Sequence, residues 1–173
     1  MRILTFILCL LSVNAFAEDD INLKEKMAES DFKITTSLAQ QGDASAQYKL
    51  ARMYRIGVRV YQPTNKPGAG GRQVVDVVKK NPVEAAKWYL KSAQNGSVLA
   101  QLDLANLYLK GEGVKKDPVE AYAYYYSLAA VGLSKYAEQQ AKSLEDILSP
   151  SQIEAGQKRS REISAIIEAN KKK

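Results

Sequence analysis

One eight-residue phrase occurs twice in this chain, and it constrains the fold more than anything else in the sequence. Residues 78–85 read Val-Lys-Lys-Asn-Pro-Val-Glu-Ala and residues 114–121 read Val-Lys-Lys-Asp-Pro-Val-Glu-Ala. Only Asn81 and Asp117 differ, and both residue types serve as helix N-caps. The likeness extends outward. Ala46-Gln47-Tyr48-Lys49-Leu50-Ala51-Arg52-Met53-Tyr54 matches Ala100-Gln101-Leu102-Asp103-Leu104-Ala105-Asn106-Leu107-Tyr108, and Ser92–Gly96 matches Leu128–Gly132 more loosely. Gly96 and Gly132 are 36 residues apart, whereas Gly42 and Gly96 are 54 apart. The extra 18 residues lie between Gly57 and Val78, where the second copy has only Glu112-Gly113 between Gly111 and Val114. A period in the mid-thirties built from two helices predicts an all-α solenoid. Each unit buries its apolar face only by stacking on the next.

Each half of the unit has a physical reading. Ala46, Leu50 and Tyr54 recur at four-residue spacing, as do Ala100, Leu104 and Tyr108, so each set forms one apolar stripe on a first helix. Gly57 and Gly111 are placed to end those helices in the left-handed conformation. Asn81-Pro82-Val83-Glu84 and Asp117-Pro118-Val119-Glu120 start the second helices, with Asn or Asp as N-cap, Pro at the first position and Glu completing a capping box. Ser149-Pro150-Ser151-Gln152 repeats the device and predicts a closing helix to about Asn170. Phe32–Gln41 reads as a lone second helix before the first repeat, with Ala39 in the place of Ala93. Tyr136–Leu148 reads as a first helix without the Gly-x-Gly-Val turn. The organisation expected is a signal segment at 1–17, an N-terminal cap at 18–41, repeats at 42–148 interrupted at 58–77, and a C-terminal cap with a basic tail at 149–173.

The pattern Ala-Gln-Tyr-x-Leu-Ala-x-Met-Tyr-x-x-Gly at 46–57, then Val-x-x-Asn-Pro-x-x-Ala-x-x-Trp-Tyr-x-x-Ser-Ala-x-x-Gly at 78–96, resembles the Sel-one-like repeat. The copy at 100–132 keeps Leu-Tyr-x-x-Gly-x-Gly-Val and Asp-Pro-x-x-Ala but has Tyr124-Tyr125 where the first has Trp88-Tyr89. Leu148-Ser149-Pro150-Ser151-Gln152-Ile153-x-x-Gly is similar to the closing helix of such chains. The resemblance covers 42–157 and implies a right-handed superhelix of about two full repeats plus capping helices, which binds other proteins. It implies that polar positions on the first helices line the concave surface: Lys49 and Arg52, aligned with Asp103 and Asn106. The 18-residue insertion departs from the family pattern, as does the absence of the disulfides that some exported relatives carry.

The N-terminus predicts export. Arg2 gives a positive start, residues 3–13 form an apolar run broken only by Thr5 and Ser12, and Ala15-Phe16-Ala17 is a small-x-small cleavage pattern followed by Glu18-Asp19-Asp20. The run is too short to span a bilayer. Cys9, the single cysteine, lies within it, so the mature chain has none and packing alone holds the fold. The chain also has no histidine, which removes Ser-His-Asp and Cys-His catalysis and His/Cys zinc sites. Glu84 and Glu120 are accounted for as capping residues, and Gly68-Ala69-Gly70-Gly71 lacks the lysine and hydroxyl of a phosphate loop. Neither catalysis nor a cofactor is expected. A net charge of +6, with acidic residues interspersed, gives a mixed surface and no nucleic-acid stripe. Trp88 and Tyr124 occupy a consensus apolar position and read as core, while Tyr126 is divided between core and a glycan-stacking surface.

The insertion is the leading candidate for a specific function. Val58–Gln62 and Arg72–Val77 are β-branched runs around a turn-rich segment, which predicts a β-hairpin arm. Arg59, Tyr61, Lys66 and Arg72 are its candidate partner-binding residues; Lys49, Arg52, Asp103 and Asn106 are those of the helix face. The expected function is a periplasmic, non-catalytic adaptor for an envelope protein. An immunity-type inhibitor of a secreted toxin or hydrolase is the main alternative, and a peptidoglycan or glycan binder the second.

Overall fold

The computed structural model describes residues 23–63 and 72–172. The signal segment expected at 1–17, the acidic residues 18–20 and Lys66 lie outside these. The described chain is an α-solenoid with one hairpin. Helix α1 covers residues 23–40, longer than the segment from Phe32 that the sequence suggests. It is followed by α2 (Ala44–Ile56), β1 (Val58–Pro63), β2 (Arg72–Val78), α3 (Pro82–Gln94), α4 (Val98–Lys110), α5 (Pro118–Ala130), α6 (Lys135–Glu145) and α7 (Pro150–Lys171). The pairs α2–α3 and α4–α5 are the two repeats, and no described helix is long and apolar enough to cross a membrane.

Small side chains set the spacing between helices. Ala51, Ala85, Ala100, Ala105, Ala121, Ala123 and Ala137 are fully buried, which lets backbones approach closely, while Leu50, Leu104 and Leu128 fill the gaps between them. Tyr89, Tyr122, Tyr124 and Tyr125 are buried as well, so this part of the aromatic cluster is core. Trp88 and Tyr126 are half-buried and pack against it, and the Lys91 ammonium lies 4.2 Å from the Trp88 ring centroid.

Each repeat is closed by the same hydrogen bond across loops of very different length. The Asn81 N–H donates to the Tyr54 carbonyl at 2.7 Å, and the Asp117 N–H to the Tyr108 carbonyl at 2.9 Å. The N-cap side chains accept as expected, Asn81 from the Glu84 N–H and Asp117 from the Val119 and Glu120 N–H groups. The expected capping boxes, however, do not form in α3 and α5. Their function would be to satisfy the N-cap N–H, and that donor is already taken by the preceding helix. Glu84 instead pairs with Lys87, and Glu120 accepts from Arg159 Nε at 3.0 and 3.1 Å. At Ser149 the box is complete, with Gln152 accepting from the Ser149 N–H.

A second correction concerns Gly57. Gly111 is left-handed helical at φ 71°, ψ 31°, but Gly57 adopts φ 83°, ψ 159° and so turns the chain straight out into β1. A Cβ there would stand 3.1 Å from the Val78 carbonyl of the returning strand. The strands pair antiparallel, with Arg59 opposite Asp76 and Tyr61 opposite Val74, after a bulge between Val58 and Arg59.

Helix α7 runs along α5 and reaches the end of α3, where Asn170 Nδ2 donates to the Gln94 carbonyl at 3.0 Å. Its approach depends on Gly156. A Cβ at that position would lie 2.4 Å from Tyr122 Cδ1, and Tyr122 is pinned by its hydroxyl, which donates to Glu145 Oε1 at 2.7 Å.

Two predictions follow from this packing. Gly→Ala inside a helix ordinarily gains about 1 kcal/mol. Here Gly156→Ala should lose about 1–3 kcal/mol by overpacking, measured by urea unfolding. The second concerns alkali. Burial, then the Glu145 hydrogen bond, pushes the Tyr122 phenol up to about 12 from an ordinary 10. Burial likewise raises Tyr89, Tyr124 and Tyr125. The folded state favours the protonated phenols, so each contribution is complete below pH 10; that of Tyr122 is lost as pH rises through about 12, and those of Tyr89, Tyr124 and Tyr125 at higher pH still. Tyrosinate absorbance and helical circular dichroism should therefore change together in that window.

Candidate functional site

Comparison of the two repeats locates the place where they are not chemically equivalent. In the second repeat Tyr125 of α5 donates its hydroxyl to Asn106 Oδ1 of α4 at 3.0 Å. The matching pair in the first repeat is Tyr89 of α3 and Arg52 of α2. An arginine has no acceptor to offer. The Tyr89 hydroxyl is accordingly buried without a hydrogen-bond partner among the described residues. Such an orphan costs roughly 1–3 kcal/mol.

The surroundings of that hydroxyl are polar and bridge the two repeats. Tyr48 packs edge-on against Tyr89 with centroids 5.7 Å apart, and its own hydroxyl donates to Asp103 Oδ2 at 3.1 Å. Arg55 Nη1 donates to Asp103 Oδ1 at 3.2 Å, and the Arg55 guanidinium lies 5.6 Å from the Tyr89 ring centroid. Burial and then the Asp103 charge raise the Tyr89 phenol, opposed by Arg55. The same two causes raise Tyr48, whose bond to Asp103 adds to them. Both phenols are therefore held in the neutral, protonated form, Tyr48 donating to Asp103 and Tyr89 with its hydroxyl unpaired.

Outward from this cluster lies an open depression of about 340 Å³ lined by Asp31, Tyr48, Lys49, Arg52, Met53, Ile56, Gly57 and Val58. Its walls are α1, α2 and the root of the hairpin, so one concavity joins the two regions singled out by the sequence. Lys49 forms an ion pair with Asp31 on its rim. Arg52 is exposed, with its guanidinium 6.0 Å from the Tyr48 ring centroid. Ile56 is exposed at the edge.

The remaining candidates divide between the arm and the interior. Arg59 Nε donates across the hairpin to Asp76 Oδ1 at 3.1 Å, both side chains well exposed. Tyr61 and Val74 are opposite each other on that same face and exposed. Arg72 opens β2 opposite Pro63, its side chain outside the described set, as is Lys66 altogether. Asp103 and Asn106 face inward contacts: Asp103 serves Tyr48 and Arg55, while Asn106 accepts from Tyr125 and donates to the Leu102 carbonyl. Arg55 and Asp31 escape the reading of the sequence. Arg55 does have a signal, because its counterpart is Leu109, so a charge replaces an apolar residue at an equivalent position.

The family model for the Sel1 repeat matches residues 44–66, 71–97 and 98–133, its first break falling inside the insertion. No curated protein matches the chain. Among solved structures, a protective antigen present in uropathogenic Escherichia coli strains and displaying an SLR fold superposes with a TM-score of 0.65. Its identity is 21%, over 86% of this chain and 29% of that one. A Sel1 repeat protein from Oxalobacter formigenes gives a TM-score of 0.50 at 28% identity, over 82% of this chain and 54% of that one. This chain thus spans only part of the length of either structure.

The explanation of the Tyr89 orphan is directly testable. Arg52→Asn gives the first repeat the acceptor that the second already has, and should stabilise the fold by about 1 kcal/mol, a shift of roughly 2–4 °C in Tm by calorimetry.

Proposed function

Because the chain belongs to the Sel1 repeat family, whose members are generally non-catalytic protein-interaction scaffolds, we propose that it is an exported scaffold that binds an envelope protein across the Arg52 depression and the hairpin arm. The observation that carries this reading is Arg52 itself. The second repeat shows that asparagine at this position satisfies the buried tyrosine; the first holds an exposed arginine there and leaves the hydroxyl unpaired. A residue that costs stability where a better one fits the same geometry is the mark of a site kept for binding.

The surface chemistry suits an acidic segment with an apolar anchor. Arg52 supplies a cation, Lys79 and Lys80 are exposed just beyond β2, and Ile56, Tyr61 and Val74 offer exposed apolar area. Arginine and tyrosine are residue types from which interface hot spots are built. The N-terminal pattern around Arg2 and Ala15-Phe16-Ala17 supports export in this reading, and with it a partner in the periplasm.

The loop of the second repeat supplies the control for a binding test. Replacing residues 58–77 with Glu-Gly gives the first repeat the linker of the second, and the Asn81–Tyr54 closure can be kept. The shortened protein should retain its helical circular dichroism. In affinity capture from the native host's envelope it should lose the prey, and Arg52→Asn should weaken the same prey about tenfold despite its higher Tm. A toxin or hydrolase as the prey would make the role that of an immunity protein. Undiminished capture by both variants would exclude this surface.

A further inference from the structure

A second departure between the repeats lies at the far end of the helix pairs, in a cavity that the proposed interface does not use. In the first repeat, one nitrogen is held by two acceptors: Asn95 Nδ2 donates to Gln47 Oε1 at 2.9 Å and to the Gly42 carbonyl at 3.2 Å. Asn95 is the C-cap of α3, while Gln47 and Gly42 lie at the start of α2. The counterparts in the second repeat are Gln101 and Gly96 at the start of α4, and Val131 at the C-cap of α5. Both acceptors are kept and the donor is gone.

The structure shows the consequence. Gln101 is buried at 3% exposure, and its Oε1 has no hydrogen-bond partner among the described residues. Gly96 and Gln101 both line an open cavity of about 390 Å³. Leu128, Val131, Leu133 and Ile167 form its apolar walls, and Ser127 and Ser164 lie 3.3 Å apart, oxygen to oxygen, on its lining. The backbone at Val131 (φ −104°, ψ 8°) nearly matches that at Asn95 (φ −90°, ψ 16°), so the first repeat is a valid template for the second.

We propose that this cavity is a binding subsite for a primary carboxamide, the side chain of an asparagine or glutamine on a partner polypeptide, whose NH₂ group bridges the Gly96 carbonyl and Gln101 Oε1. The first repeat is the internal precedent, since there the protein's own Asn95 occupies this geometry. A neutral donor fits better than an ammonium. Glu168, the one carboxylate on the lining, is already engaged by Lys171, so a buried cation would have no free counter-charge. The apolar walls take the methylenes of the side chain.

The test uses the full protein, uniformly ¹⁵N-labelled, and three matched probes: the Nα-acetyl methylamides of glutamine, glutamate and lysine. The glutamine probe should give saturable shifts at the Gln101 side-chain amide and at the Gly96 and Ser97 backbone amides, and the other two should not. Val131→Asn installs the missing donor. It should raise Tm by about 2–4 °C and weaken the glutamine probe about tenfold by occupying its place. Gln101→Met, which removes the acceptor at similar volume, should abolish the response whatever the fate of the first variant. Absence of shifts with the glutamine probe overturns the proposal. So does an equal response to glutamate, a stronger one to lysine, or undiminished binding in both variants.

Discussion

The backbone hydrogen bond from the N-cap of each second helix to the carbonyl of a tyrosine in the first helix is the constraint on which the rest depends. It fixes where α3 begins relative to α2, and α5 relative to α4, whatever lies between. Closing a longer loop costs little additional entropy, since the penalty grows only logarithmically with length. The first repeat can therefore carry an 18-residue arm that the second lacks, while both present the same alanine-lined surfaces to their neighbours. The bond also accounts for Glu84 and Glu120, which are freed from capping. Glu120 turns instead to Arg159 and helps seat the closing helix.

A repeat protein contains its own control. Where two copies share a backbone, any difference in side-chain satisfaction reflects substitution, not fold. Two buried side-chain polar atoms are unpaired among the described residues, the Tyr89 hydroxyl and Gln101 Oε1, and each has a satisfied counterpart in the other copy. In each case one replacement removes the partner, Arg52 for asparagine and Val131 for asparagine. Both orphans adjoin a concavity. The two repeats have thus exchanged stability for chemistry at opposite ends of the helix pairs, one towards a cationic groove and one towards an amide-accepting pocket.

The helical architecture was legible because its signals are local. The Asn-Pro and Asp-Pro starts, the Ala-Leu-Tyr stripes and the terminating glycines each act within a turn or two of helix, and copy-to-copy alignment reinforced them. The hairpin was legible for the same reason, from the alternation on either side of its turn-rich centre. What could not be read was the destination of polar groups. Whether Glu84 caps its own helix depends on a carbonyl 30 residues earlier, and whether Asp103 faces solvent depends on Arg55 and Tyr48 in another repeat. Of the sequence's eight candidates, Lys49 and Arg52 line one depression with the hairpin root, while Asp103 and Asn106 serve the interior. Such long-range pairings leave only a faint trace in sequence, as in the Arg55–Leu109 mismatch.

The claim that the arm is appended to a core closed independently of it is tested most directly by native-state hydrogen exchange, amide by amide. The account predicts that the Asn81 and Asp117 amides exchange only through global unfolding, equally slowly, while the amides of β1 and β2 exchange orders of magnitude faster through local opening. If the hairpin amides are as protected as Asn81, the arm is part of the cooperative core, and its reading as a separable binding element fails.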